Sequence, residues 1–179
     1  YPVAPTSPDI TDLVASYSAD LNMTNLLRGI FLHPYFLSPA SIGGLVKQPV
    51  EWVAGIMRAL RLRPASWAKS GGNGYLQYAL SNLGQIPFDP PSVGGWGNNE
   101  YWLSTAASLS QLDFAQSAVY VADLSEIDDA PVADRIDLLA ALLGTDGWSE
   151  RSVAALTKVR HLTPELTALA LTAPEVVVN

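Results

Sequence analysis

Apolar residues recur at helical spacing along most of the chain. Ile10, Leu13, Val14 and Tyr17 follow Ser7-Pro8-Asp9, which supplies an N-cap, a first-turn proline and an acid at the positive end of the helix dipole. Asn22 is placed to cap a second helix carrying Met23, Leu26, Leu27, Ile30 and Phe31, and Pro34 ends it. Pro49 opens a third helix, bounded by Pro64, with Val53, Ile56, Met57 and Leu60 as its buried stripe. Gly71-Gly72-Asn73-Gly74 reads as a flexible turn before a fourth helix from about Tyr75 to Leu83, and a longer helix covers about Tyr101 to Val121. Pro131 suits the first position of the next, with Ile136, Leu139, Ala140 and Leu143 inward and Gly144 as the stop. Ser149 caps a further helix through about Val159. Thr163-Pro164-Glu165 begins the last long one, and Ala173-Pro174 ends it. Val176-Val177-Val178 is the one strand-like run; it is too short for a sheet and reads as a tail or short turn. The pattern predicts an all-α, irregular multi-helix bundle of about eight helices, forming a single domain over residues 1–179, with 122–131 as a mobile link. Leu26 to Phe36 and Leu166 to Val176 align on Pro34 and Pro174, an internal echo of one helix ending in a proline turn.

The helical pattern breaks at Gly84-Gln85-Ile86-Pro87-Phe88-Asp89-Pro90-Pro91-Ser92-Val93-Gly94-Gly95-Trp96. Three prolines and three glycines in thirteen residues exclude a long regular element. Ile86, Phe88, Val93 and Trp96 nevertheless favour burial. A long Pro/Gly/Trp-rich loop that is both stiff and apolar covers something or binds something.

Composition sharpens this. Hydrophobic residues make up 49% and charged ones only 15%, so part of the surface is expected to be covered by another part of the molecule or by a partner. No apolar run reaches the roughly 18 to 20 residues that span a bilayer; the best, Leu26 to Phe36, is interrupted by Arg28, His33 and Pro34. A net charge of -7 argues against nucleic acid as a partner. Arg58, Arg61, Arg63 and Lys69 form a basic island, and Asp113, Asp123, Glu126, Asp128, Asp129, Asp134 and Asp137 an acidic stretch; both read as solvated faces. With no cysteine, disulfides, thiolate metal sites and thiol nucleophiles are excluded. The chain opens at Tyr1 within what reads as a loop, so it is expected to be a fragment or processed product of a longer protein.

Candidate chemistry is sparse. His33 and His161 are the only histidines, without metal-ligand spacing, and His33 before Pro34 suits a helix-end capping role. Asp123, Glu126, Asp128 and Asp129 lack the order of a calcium loop, and Gly94-Gly95-Trp96-Gly97 lacks that of a phosphate cradle. No metal and no cofactor is expected. Lys47, Glu51 and Arg58, four and seven apart, fall along one face of the third helix, opposite Val53, Ile56 and Leu60. They read either as a salt-bridge line or as a polar floor beneath the loop, with Glu51 as acid/base and Arg58 as an anion clamp. Trp96, Tyr101 and Trp102, beside Asn98, Asn99 and Glu100, either stack on a sugar or peptide or plug the loop into the core.

Lys47-Gln48-Pro49-Val50-Glu51-Trp52-Val53-Ala54-Gly55 with Arg58-Ala59-Leu60 resembles the "K-S-P-V-E-F-V-V-G-x-x-R-A-L" signature of the bacterial domain of unknown function 1800. Leu83-Gly84-Gln85 with Phe88-Asp89-Pro90-Pro91-Ser92-Val93-Gly94-Gly95-Trp96 resembles its second signature, "M-G-Q-x-x-F-x-P-P-x-V-x-G-W", and Trp102-Leu103 the following "W-L/I". Gln48 stands where serine is usual, and Gly97-Asn98 where proline-glycine is more common. The resemblance implies a mostly helical, often exported bacterial protein, of which this chain matches the C-terminal portion. It implies no reaction. It marks Lys47, Glu51 and Arg58 in the first signature and Gln85, Asp89 and Trp96 in the second as site residues. Three functions follow: a binding or interaction module, a hydrolase on a cell-wall or extracellular polymer with Glu51 and Asp89 as its carboxylate pair, or a scaffold. The expected partner is the missing N-terminal half of the same protein or another exported protein.

Overall fold

Prolines and capping side chains set the helix boundaries. The computed structural model describes residues 8–17, 21–36, 38, 41–70 and 73–178. Their helices are α1 (Pro8–Tyr17), α2 (Met23–Leu32), α3 (Pro49–Ala59), α4 (Asn73–Asn82), α5 (Thr105–Val121), α6 (Ser125–Asp128), α7 (Arg135–Leu143), α8 (Glu150–Val159), α9 (Thr163–Leu171) and α10 (Pro174–Val177). Two 3-10 segments, Pro64–Ser70 and Asn99–Trp102, complete the set, and no strand occurs among the described residues. The class is all-α, and each of the eight helices expected from the pattern is present. Ser7, Gly71, Gly72 and the Lys69 side chain lie outside the described residues.

The single domain expected from the sequence resolves into two compact units, residues 1–45 and 46–179. In the first, α1 packs on α2 as a helical hairpin. Asn22 caps α2 by accepting from the Asn25 N–H at 3.1 Å. At Gly29 a Cβ would come within 2.8 Å of the Ser16 hydroxyl, so the close approach of the two helices needs glycine. The His33 N–H closes α2 on the Ile30 carbonyl, and its Nδ1 accepts from the Tyr35 N–H.

In the second unit α5 and α9 form the central pair, and the small residues Ala115, Ala118, Ala168 and Ala170 are buried on them. Trp52, Val53 and Ile56 of α3 enter the same core, with Trp67 of the first 3-10 segment and Phe114 of α5. Trp67 is fully buried, stacks on Tyr75 at 5.7 Å and donates from Nε1 to the Ser117 hydroxyl at 3.0 Å. The sequence pattern used Pro64 as a stop and missed this segment, because a 3-10 turn has no apolar period of its own. A second cluster joins Ile127, Leu139, Leu156, Leu166 and Ala170.

Three boundaries move. Helix α5 begins at Thr105 instead of Tyr101, where Ser104 accepts from the Ala107 N–H at 3.1 Å. Helix α7 begins at Arg135, after a turn over Pro131–Asp134 closed by Asp134 N–H to Pro131 O at 2.8 Å. The expected tail is a single helical turn, α10, followed by an antiparallel bridge between Val178 and Val46. Residues 122–131 hold α6 and are contacted by Arg135, which is buried. Its guanidinium donates to the Asp128 and Ala130 carbonyls and to the Thr163 hydroxyl.

The proline-turn echo survives in the backbone. His33 and Ala173 have nearly the same extended conformation, and Phe36 N–H and Val176 N–H bond back to them at 2.9 Å in each case. The surroundings differ: α2 buries no residue, whereas α9 buries six.

Candidate functional site

Helix α3 turns one face to the core and the other outward. Trp52, Val53 and Ile56 are buried; Glu51, Ala54, Gly55 and Arg58 are exposed. Trp52, absent from the stripe predicted for α3, is anchored by an Nε1–H bond to the Leu171 carbonyl at 3.1 Å. Lys47 precedes the helix because Pro49 takes its first turn, so the expected ladder of Lys47, Glu51 and Arg58 is not continuous along α3. The Lys47 ammonium bonds the Val176 carbonyl at 2.9 Å and its backbone N–H the Val177 carbonyl at 2.8 Å.

The Pro/Gly/Trp strap lies against the start of α3. Gln85 is only 4% exposed, and both ends of its amide are hydrogen-bonded. Its Oε1 accepts from the Val50 N–H at 2.9 Å and its Nε2 donates to Gln48 Oε1 at 2.6 Å. One amide thus satisfies a free N–H of the first turn of α3 and locks the root of the strap to it. Gln85 is thus a structural clamp as well as part of the lining of the hollow beside the strap. At the far root, Asn99 Oδ1 accepts from the Val46 N–H at 3.1 Å. Gly97 is packed so tightly on Tyr101 that a Cβ would overlap the ring, and Gly84 and Gly95 adopt left-handed conformations.

Between its roots the strap is exposed. Phe88 and Val93, which the sequence suggested should be buried, stand 99% and 112% exposed. Phe88 also has φ of 67°, in the left-handed region. Trp96 is half-buried, whereas Trp102 is 3% exposed and lines neither hollow beside α3, so it belongs to the core and not to a ligand surface. Its indole N–H is buried without a hydrogen-bond partner.

Two hollows of about 620 Å³ each flank the outer face of α3. One is walled by the strap through Gln85, Pro87, Phe88, Pro90 and Trp96, with Gln48 before α3 and Val50, Glu51 and Ala54 on it. The other lies between α3 and the end of α7 and is lined by Lys47, Glu51, Arg58 and Gly144. Glu51 and Ala54 border both. Glu51, Gln85 and Trp96 are therefore brought together in the first hollow, and Lys47, Glu51 and Arg58 in the second. Asp89 is exposed and lines neither, so no hollow holds it with Glu51. Among the described residues, no three acidic or histidine side chains gather as a metal site, and no helix is long and apolar enough to cross a membrane.

The family model described as "Protein of unknown function (DUF1800)" matches residues 3–178. The chain belongs to the DUF1800 family. No curated protein and no solved structure matches it. Within this DUF1800 chain, Gly84, Gln85 and Gly97 have structural roles at the strap roots, and Trp52 has one in the core. Glu51, Ala54, Phe88, Pro90 and Trp96 line the strap hollow with Gln85, and Lys47 and Arg58 line the other. Phe88 and Ala54 were missed as site residues because an apolar side chain carries no sequence mark that separates an exposed wall from a core position.

Proposed function

We propose that this chain is a helical binding module of an exported protein, with the hollow between α3 and the strap as its ligand site. One observation carries the reading: Phe88 stands wholly in solvent at the edge of that hollow while its backbone sits in the left-handed region. Leaving a phenylalanine exposed forgoes about 1.5–3 kcal/mol of burial. The left-handed backbone of a bulky residue costs about 1–2 kcal/mol more. A ligand that covers the ring recovers that burial. Because Asp89 lies outside the hollow that Glu51 borders, a binding reading is favoured over the carboxylate-pair hydrolase.

The test is an apolar dye, 1-anilinonaphthalene-8-sulfonate, titrated against the folded protein and a Phe88→Ala/Trp96→Ala variant. The native protein is expected to enhance the dye's fluorescence saturably, and the variant to lose most of that signal while keeping its helical circular dichroism. Equal dye binding by the two folded proteins would sink the reading.

A further inference from the structure

The strap hollow sets ring surfaces beside side-chain amides, and that pairing narrows the chemistry of its occupant. We infer that it holds a neutral, extended chain of β-1,4-linked hexose units; this rests on the hollow being the binding site. The amides form a relay with a fixed direction. The Val50 N–H makes Oε1 of Gln85 an acceptor, so Nε2 is the end that donates to Gln48 Oε1. The amide nitrogen of Gln48 is left over. Gln48 lines the hollow and is half-buried, and its nitrogen has no hydrogen bond among the described residues. It offers two N–H donors at the end of a chain of bonds that begins on the first turn of α3, and each bond in such a chain polarises the next.

The rings supply the other half. Phe88 and Trp96 line the same hollow, with Pro87 and Pro90 beside them. A hexose whose hydroxyls are equatorial has apolar C–H faces and a polar edge on which each hydroxyl both donates and accepts. Aromatic side chains cover such faces, and amides and carboxylates meet such edges. Glu51 is already engaged, but a carboxylate has about four acceptor sites, so it can still receive a hydroxyl. The β-1,4 linkage keeps successive rings flat and extended, which lets one chain lie along both aromatic walls.

Charge favours no ionic ligand. Glu51 borders both hollows and shares the second with Lys47 and Arg58, so its charge is set against two cations across the outer face of α3. A protein segment fits less well than a sugar chain. Pro87, Pro90 and Pro91 have no N–H, and the Asp89 N–H is bonded to the Ile86 carbonyl at 3.1 Å. The strap therefore offers no strand edge to satisfy a docked peptide backbone.

Calorimetric titration of the folded protein with cellohexaose, chitohexaose, maltohexaose and a proline-rich ten-residue peptide tests this. Cellohexaose or chitohexaose is expected to bind at least about tenfold more tightly than the curved maltohexaose or the peptide, and to displace the dye. The tighter of the two names the sugar unit. Added salt should leave the affinity unchanged, because the ligand is neutral. Trp96→Ala should weaken binding about fivefold or more. Gln48→Glu keeps an oxygen for the Gln85 amide and removes the two donors, so it should weaken binding about fivefold while the urea midpoint holds. That result separates a lost donor from lost folding. Equal affinities for all four probes, tightest binding of the peptide, a steep salt dependence, native affinity in Gln48→Glu, or no oligosaccharide binding with dye binding intact each overturn the occupant named here and leave the hollow standing. A native protein that binds no dye overturns the site itself.

Discussion

Two long connections in the second unit solve the same problem in opposite ways. Residues 122–134 join α5 to α7, and the strap joins α4 to α5. In the first, one buried guanidinium reaches back from α7 to hold two carbonyls, and Thr163 Oγ1 donates to Asp128 Oδ1 at 2.6 Å. The strap was expected to be stiff, and it is tied only at its roots, by Gln85 and Asn99. Residues 87–94 between them are all exposed. Proline limits the angles a backbone can take but provides no bond to a neighbour and removes a donor. A single arginine supplies five donors in a fixed fork. Rigidity from proline therefore leaves a loop available to a ligand, whereas anchoring by arginine uses a loop up.

The largest effect is expected where that anchoring is removed. Arg135→Met strips the Asp128 and Ala130 carbonyls and Thr163 of their donor, and hydrogen bonds from a charged group are worth about 1.5–3 kcal/mol. Urea denaturation should show a loss of about 3 kcal/mol. Arg135→Lys should recover only part of it, since an ammonium cannot span the same fork of acceptors. A loss below about 1 kcal/mol would be that of an ordinary single hydrogen bond, and the contrast between the two connections would collapse.

A smaller effect is expected at the strap root. Gln85→Ala leaves the Val50 N–H without its partner at 2.9 Å and opens the link to Gln48. The cost should be about 1–2 kcal/mol. Hydrogen exchange sharpens the test, because protection of the Val50 amide should fall while the amides of α9 keep theirs. If Val50 stays protected, the strap is held by something other than Gln85.

The helices were legible in the sequence because caps and prolines act locally: Asn22, Ser149, Pro49 and Gly144 each sit at the boundary they mark. The short elements were not. Trp67, α6 and α10 lie in segments of at most seven residues, too short for an apolar period, and tertiary partners decide their conformation. Strap and helix could be placed together from the residues alone, but the division of labour could not. Gln85 looked like a polar ligand contact and is a buried clamp, while Phe88 looked like core and is the exposed wall. Whether an amide or a ring is spent inward depends on contacts distant in sequence, here Gln85 with Val50 and Gln48.

Acid provides the gentlest separation of the two connections. Asp123 accepts from the Ser125 N–H at 3.0 Å, and that bond holds its carboxyl below the ordinary range. Partial burial raises Glu175, but its bonds to the start of α8, from the Ser149 N–H and the Ser152 hydroxyl, outweigh this and leave it lowered as well. A carboxyl lowered in the folded state adds stability above its unfolded value and loses it as the pH falls through the folded one. Both contributions are thus present at neutral pH; that of Glu175 fades below about pH 4.5 and that of Asp123 below about pH 3.8, their ordinary values. The strap roots are held by the side-chain amides of Gln85 and Asn99, which do not titrate. Protection at the Ser149 amide should therefore fall as the pH drops below about 4.5 and that at Ser125 as it drops below about 3.8, while that of Val50 holds, and Glu175→Gln should remove the change at Ser149. Equal weakening of all three amides would mean that acid loosens the fold as a whole, and that the carboxylate clamps add nothing particular to the segments they close.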